Sequence, residues 1–187
     1  MIQIIDNAIP LENQNNILRI VNHKDFKWIC VDTVNYPKEY NHSYKPNKKQ
    51  FEHHLIKNNK TVSEYADVIL ENLKIKKDDI LRSKINLNVP GKKRQFITPH
   101  VDNFDSNYFS MIYYIDNSDG KTIIYNDRNK LTTNPKFWWK KTKIFPKKGR
   151  IVTFPSSILH SGNVPFKYNS RLVINIVLNK QITHNLL

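Results

Sequence analysis

The stretch FPKKGRIVTFPSSILHSGN, residues 145–163, decides the fold. Pro146 and Gly149 are turn formers, and RIVTFP after them is a short β-branched and aromatic run. A second turn signal, PSS, follows, and His160 stands near the start of the next segment. A few β-favouring residues held between two turns describe a strand and not a helix, because the run is too short to present a helical apolar face.

The same grain extends in both directions. RSKINLNV (82–89), FSMIYYID (109–116), KTIIYND (121–127), KTKIFP (141–146) and RLVINIVL (171–178) are further short runs, separated by turn-rich NVPGKK, DNSDGK and HSGNVPFKYNS. Many short strands with turns between them predict a sandwich or barrel, read here as a jelly roll. Before residue 82 the pattern differs. IQIID reads as a short strand, and PLENQNNILRIVN as an amphipathic helix with Leu11, Ile17, Leu18 and Val21 as core candidates. TVSEYADVILENLKI predicts a second helix, with Val62, Tyr65, Ala66, Ile69 and Leu73 at helical spacing. No linker divides the chain and no internal repeat occurs, so residues 1–187 are expected to form one domain. Within it, residues 1–81 would supply a strand and supporting helices, and residues 82–179 the mainly β core.

Composition narrows the function classes. The single cysteine, Cys30, excludes an internal disulfide and a cysteine-based zinc site, which fits a reducing compartment. No apolar run reaches membrane-spanning length, and the first residues lack the order of a secretory signal, so a cytoplasmic location is expected. The formal charge of +14 could attract an acidic partner. Lysine-rich runs are scattered along the whole chain, however, and no specific nucleic-acid site is expected. Trp138 and Trp139, beside lysines in NKLTTNPKFWWKK, are either core or loop caps or a platform that stacks on a base or substrate ring.

Chemistry enters at ITPHVDN, residues 97–103. In extended backbone, side chains two apart share a face, so His100 and Asp102 would project into the same space. His160, after a strand and a turn, is the candidate third ligand. The other histidines, His23, His42, His53, His54 and His184, fall in segments that read as helical, loop or terminal and are expected to be surface or packing residues. Two imidazoles and one carboxylate on one face of an iron leave the opposite face open, the ligand set of non-haem Fe(II) oxygenases. Arg171 adds a second requirement, because it opens a strand of otherwise almost wholly apolar residues. A buried guanidinium needs an anion. A carboxylate from elsewhere in the chain would serve, and a bound dicarboxylate would serve better through the planar fork that lysine lacks.

Taken in order, HVDN, SMIYYID, DGKTIIYND, FPKKGRIVTFPSSILHSGN and SRLVINIVL resemble the 2-oxoglutarate and Fe(II)-dependent oxygenases, most closely the prolyl-4-hydroxylase-like branch. The resemblance covers about residues 82–179. It implies a double-stranded β-helix, cupin-like core with Fe(II) held by His100, Asp102 and His160. It further implies Arg171 paired with the distal carboxylate of 2-oxoglutarate, and Tyr114 assisting, with Tyr113 facing the other way. The activity implied is hydroxylation with O2 of a prolyl or other protein side chain, or of a small molecule, with release of succinate and CO2. Arginine at the clamp position, Val89 before Pro90 and Gly91, and DGKT in place of a double glycine depart from many relatives. Asn86, Asn88 and Asn175 are candidates for hydrogen bonds inside the barrel. Two other readings stay open from the residues alone. One is a non-catalytic jelly-roll module for an acidic ligand, and the other a cupin-like metalloenzyme that does not use 2-oxoglutarate.

Overall fold

The strands expected from residue 82 onward all form in the computed structural model, which describes residues 1–31, 50–91, 99–125 and 141–179. Trp138, Trp139, His42 and His184 lie outside the described residues. In chain order the elements are β1 (Gln3–Ile5), α1 (Leu11–Val21), β2 (Ile29–Val31), β3 (Gln50–Lys57), β4 (Lys60–Thr61), α2 (Ala66–Leu73), β5 (Ile80–Asn88) and β6 (Tyr108–Tyr114). They continue with β7 (Thr122–Tyr125), β8 (Lys141–Ile144), β9 (Ile151–Pro155), β10 (His160–Gly162) and β11 (Arg171–Asn179).

The strands build two antiparallel sheets. The larger runs β1-β9-β6-β11-β5-β3-β2, with β4 against β3, and the smaller runs β10-β7-β8. Neighbours in space are seldom neighbours in sequence, as in the jelly roll expected from the turn spacing. β11 lies at the centre of the large sheet, and Arg171–Leu178 are all buried. Alternation explains why both faces are apolar. Leu172, Ile174, Ile176 and Leu178 meet Ile17 and Val21 of α1 and Ile69, Leu70 and Leu73 of α2. Val173 points the other way, into a cluster with Ile112, Tyr114, Val152 and Phe154 of the large sheet and Ile124 and Ile144 of the small one. Tyr113 and Tyr114 divide between the two clusters in the same manner. Full burial of each such side chain is worth about 1.5–3 kcal/mol, so the helices are held to the outer face by burial more than by helix propensity.

Several local expectations change. Leu11 is 66% exposed and Val62 53% exposed, so neither belongs to the core. α2 starts five residues later than its apolar spacing suggests, since Lys60–Thr61 pair with β3 and the Ser63 hydroxyl takes the Tyr65 N–H at 3.1 Å. QFEHHLIK is a full strand, β3, so His53 and His54 sit in a sheet and not in a loop. Strands from residues 1–81 thereby complete the large sheet, with β1 on β9 and β3 on β5. At the tight PKKGR turn Gly149 takes φ 77°, where its N–H reaches Tyr114 O and its carbonyl receives the Ala8 N–H. Among the described residues no helix is long and apolar enough to cross a membrane.

Candidate active site

The inner faces of β3, β5, β6 and β11, closed by β7, β10 and the segment around His100, enclose a cavity of about 460 Å³. His100, Asp102, His160, Arg171, Asn86, Asn88 and Asn175 all line it. On its wall His100 and His160 face each other across an isolated bridge, each N–H reaching the other's carbonyl at 2.9 Å. Their rings stand 4.5 Å apart between centroids. The backbone does not continue as a strand through Asp102. It bends there, and the Ser156 carbonyl accepts both the Asp102 and Asn103 N–H groups. The bend still delivers the expected result: ligand atoms of His100, Asp102 and His160 all lie within 4.8 Å of one another.

Hydrogen bonds fix what these groups present. The carbonyl of Ile158 lies 3.0 Å from His160 Nδ1. A carbonyl only accepts, so Nδ1 carries the proton, and in the neutral ring Nε2 offers a lone pair. That lone pair faces Asp102 Oδ2 at 3.4 Å, two acceptors that a cation between them would relieve. Asp102, its side chain 2% exposed, is held by Arg82 Nη2 on Oδ1 at 2.6 Å, and by Ser110 Oγ at 2.6 Å and Asn175 Nδ2 at 3.2 Å on Oδ2. Burial alone would raise its carboxyl. The charge that the His160 and His100 imidazoles carry in their protonated forms, the Arg82 guanidinium and the Ser110 hydroxyl outweigh burial and hold it well below the usual carboxylate range. A charged carboxylate and two imidazoles, with no thiolate, form a donor set suited to Fe(II).

Arg171, which also lines the cavity, is 4% exposed. Its Nε donates to Gly120 O at 2.7 Å, Nη2 to Thr122 Oγ1 at 2.8 Å, and Nη1 to Asn88 Oδ1 at 3.4 Å. All three acceptors are neutral, and among the described residues no carboxylate pairs with it. Burial lowers the guanidinium from its ordinary value, and only Tyr114 opposes that. Tyr114 donates to Thr122 Oγ1 at 2.7 Å, and its ring lies 6.0 Å from the guanidinium carbon. Gly120 is required here by space, because a Cβ would stand 2.6 Å from Asn163 O and 2.8 Å from Arg171 Cδ.

Of the expected site residues, His100, Asp102, His160 and Arg171 line one cavity, while Tyr114 stands behind its wall on Thr122. Those that the sequence reading did not single out are Arg82, Ser110 and Thr122 around Asp102 and Arg171, and Gln50, Glu52, His54 and Lys84 along the β3–β5 wall. Glu52 and His54 did carry a signal, a carboxylate and an imidazole at strand spacing, the same relation that marked His100 and Asp102. It was hidden because β3 itself was not expected.

Comparison with known proteins agrees with this geometry. Residues 85–179 match the family described as the 2OG-Fe(II) oxygenase superfamily. No curated protein matches the sequence significantly. Among solved structures, the non-haem alpha-ketoglutarate-dependent epimerase SnoN from nogalamycin biosynthesis superposes with a TM-score of 0.67 at 9% identity, over 95% of this chain and 76% of its own. A Pseudomonas putida prolyl-4-hydroxylase does so with a TM-score of 0.57 at 12% identity, over 95% and 92%. A prolyl hydroxylase in complex with a hypoxia inducible factor oxygen degradation domain peptide, from Trichoplax adhaerens, gives 0.63 at 15% identity, over 96% and 84%. At such identities the likeness to these structures is one of fold.

Proposed function

Because the chain belongs to the 2-oxoglutarate and Fe(II)-dependent oxygenase superfamily, we propose that His100, Asp102 and His160 hold Fe(II), that Arg171 receives the distal carboxylate of 2-oxoglutarate, and that the enzyme hydroxylates a prolyl or other protein side chain. The observation that carries this reading is Arg171: a buried cation with only neutral partners, across one cavity from a convergent metal-ligand set. A dicarboxylate satisfies the first and reaches the second.

When bound, Fe(II) and 2-oxoglutarate together supply the oxidising power, with O2, one oxygen atom going to substrate and one to succinate as CO2 leaves. The protein's own residues have positioning tasks. Ile158 O keeps His160 Nε2 turned into the cavity, and Ser110 and Asn175 fix one oxygen of Asp102 so that the carboxylate cannot rotate. Gly120 O and Thr122 Oγ1 hold the Arg171 plane, while Tyr114 supports Thr122 from behind. Each terminal nitrogen of Arg171 makes one hydrogen bond and has a second N–H to offer, the fork that a carboxylate takes with both oxygens.

Support for a protein side chain as substrate comes from the two prolyl hydroxylases that share the fold across nearly the whole chain. A polar small molecule is the second reading, favoured by the charged wall of Glu52, His54 and Lys84 that borders the cavity. Two measurements test the proposal. Adding 2-oxoglutarate to the anaerobic Fe(II) protein should produce a weak visible charge-transfer band, and iron binding without that band would refute the cosubstrate assignment. Incubation with separated peptide and metabolite fractions of a cell extract should give a one-oxygen mass gain in the peptides. A gain confined to metabolites would overturn the protein-side-chain reading.

A further inference from the structure

The β3 wall carries a network that the roles above leave unused. Gln50, Glu52 and His54 alternate along the cavity face of β3, while Leu55 lies in the core cluster beneath the helices and His53 stacks on Phe26 at 4.3 Å. Glu52 is 7% exposed. Burial pushes its carboxyl up, but the Lys84 ammonium and the Gln50 amide outweigh that and keep it below its ordinary value. Its oxygen Oε1 accepts from Lys84 Nζ at 2.7 Å and from Gln50 Nε2 at 2.6 Å, and Oε2 lies 3.3 Å from His54 Nε2.

Followed from the other end, the same network begins at Arg171. A guanidinium only donates, so the side-chain oxygen of Asn88 must face Arg171 Nη1. Asn88 Nδ2 then faces away and donates to Gln50 Oε1 at 3.1 Å. Gln50 is oriented in turn, its Nε2 donating to Glu52 Oε1. Gln50, Asn88 and Arg171 occupy one cross-strand row of β3, β5 and β11, so the sheet register itself places the three side chains in line. A cation at one end and an anion at the other dictate the direction of every link. Neither amide can flip without setting donor against donor or acceptor against acceptor.

We propose that Gln50 and Glu52 are positioning residues for the 2-oxoglutarate clamp, acting through Asn88 to hold the Arg171 guanidinium in the plane that receives a carboxylate. The inference rests on the reading of Arg171 as that clamp. Glu52 ends the line as an oriented acceptor and not as the counter-charge of Arg171, because Lys84 already pairs with it.

The discriminating variant is Gln50→Met, which keeps volume and net charge, leaves Glu52 and Lys84 paired, and breaks the line between them and Arg171. Calorimetric titration of the anaerobic Fe(II) protein with 2-oxoglutarate should show the dissociation constant raised by about three- to tenfold, the loss of one oriented hydrogen bond. Fe(II) affinity and kcat at saturating 2-oxoglutarate should stay at wild-type values, a split that a merely structural role would not give. If the Met variant melts early, Gln50→Ser, which leaves room for water, makes the same comparison. In an Arg171→Lys background Gln50→Met should add no further loss, because its effect passes through the guanidinium. Full additivity, or an unchanged dissociation constant in Gln50→Met, overturns the relay while leaving the clamp intact. Failure of the wild-type Fe(II) protein to bind 2-oxoglutarate overturns the clamp, and the relay with it.

Discussion

Replacing Arg171 by lysine keeps the charge and removes the geometry, and the structure lets the consequence be worked out. The guanidinium is anchored by Gly120 O on Nε and by Thr122 Oγ1 and Asn88 Oδ1 on its two terminal nitrogens, each of which still carries a second N–H. An ammonium has its donors on a single atom. If it bonds to Gly120 and Thr122 it has one donor left for the ligand, and if it turns to the ligand it abandons its anchors. In either case at least one charge-assisted hydrogen bond is lost, about 1.5–3 kcal/mol, which corresponds to a roughly ten- to hundredfold weaker grip on 2-oxoglutarate. The assay is the charge-transfer band of the anaerobic Fe(II) protein, titrated with 2-oxoglutarate, alongside iron binding and thermal melting of the same variant. Iron affinity should barely move, because Asp102 and His160 are anchored by other groups, Arg82, Ser110, Asn175 and Ile158 O. Unchanged 2-oxoglutarate affinity in a stably folded Arg171→Lys protein would refute the clamp. A fall in melting temperature accompanied by loss of iron would instead mark Arg171 as a structural residue.

Three other perturbations have definite expected outcomes. Ser110→Ala removes the 2.6 Å hydrogen bond that fixes Asp102 Oδ2, and Fe(II) affinity should drop about 10- to 100-fold with little loss of fold, as read by equilibrium dialysis; an unaltered affinity would show that Arg82 and Asn175 suffice. Gly120→Ala places a methyl 2.6 Å from a backbone carbonyl and 2.8 Å from the Arg171 side chain, so stability should fall by about 1–3 kcal/mol in denaturant titration and 2-oxoglutarate binding should weaken with it. His54 is held below its ordinary imidazole value chiefly by burial, so the unfolded chain takes up its proton at higher pH than the folded one. The stability this contributes is complete above about pH 6.5 and is lost as pH falls toward the folded value; His54→Gln should flatten that part of the stability profile, and an identical slope in the variant would assign it to other groups.

Why β3 escaped a sequence reading that found β5, β6, β9 and β11 follows from what alternation measures. A half-buried strand is recognised by assuming that its polar face meets water. β11 presents no polar residue except Arg171, Asn175 and the terminal Asn179, and β9 is apolar nearly throughout, so both are legible as strands wherever their polar groups point. QFEHHLIK alternates too, but Gln50, Glu52 and His54 form the inner face and the partly buried His53 packs among aromatic rings, so its residues mimic a charged loop. The same inversion applies to RSKINLN. It reads as a strand from its place among short runs between turns, yet Arg82, Lys84, Asn86 and Asn88 look inward and line the cavity. His100, Asp102 and His160 were visible because a metal-ligand set constrains residue type at each position, independent of burial. The supporting shell of Arg82, Ser110, Thr122 and Glu52 is ordinary surface chemistry by composition, and only the sheet register brings it to the ligands. Along β3 and β5 the polar stripe therefore marks the lumen, and the apolar stripe marks the layer of helices outside.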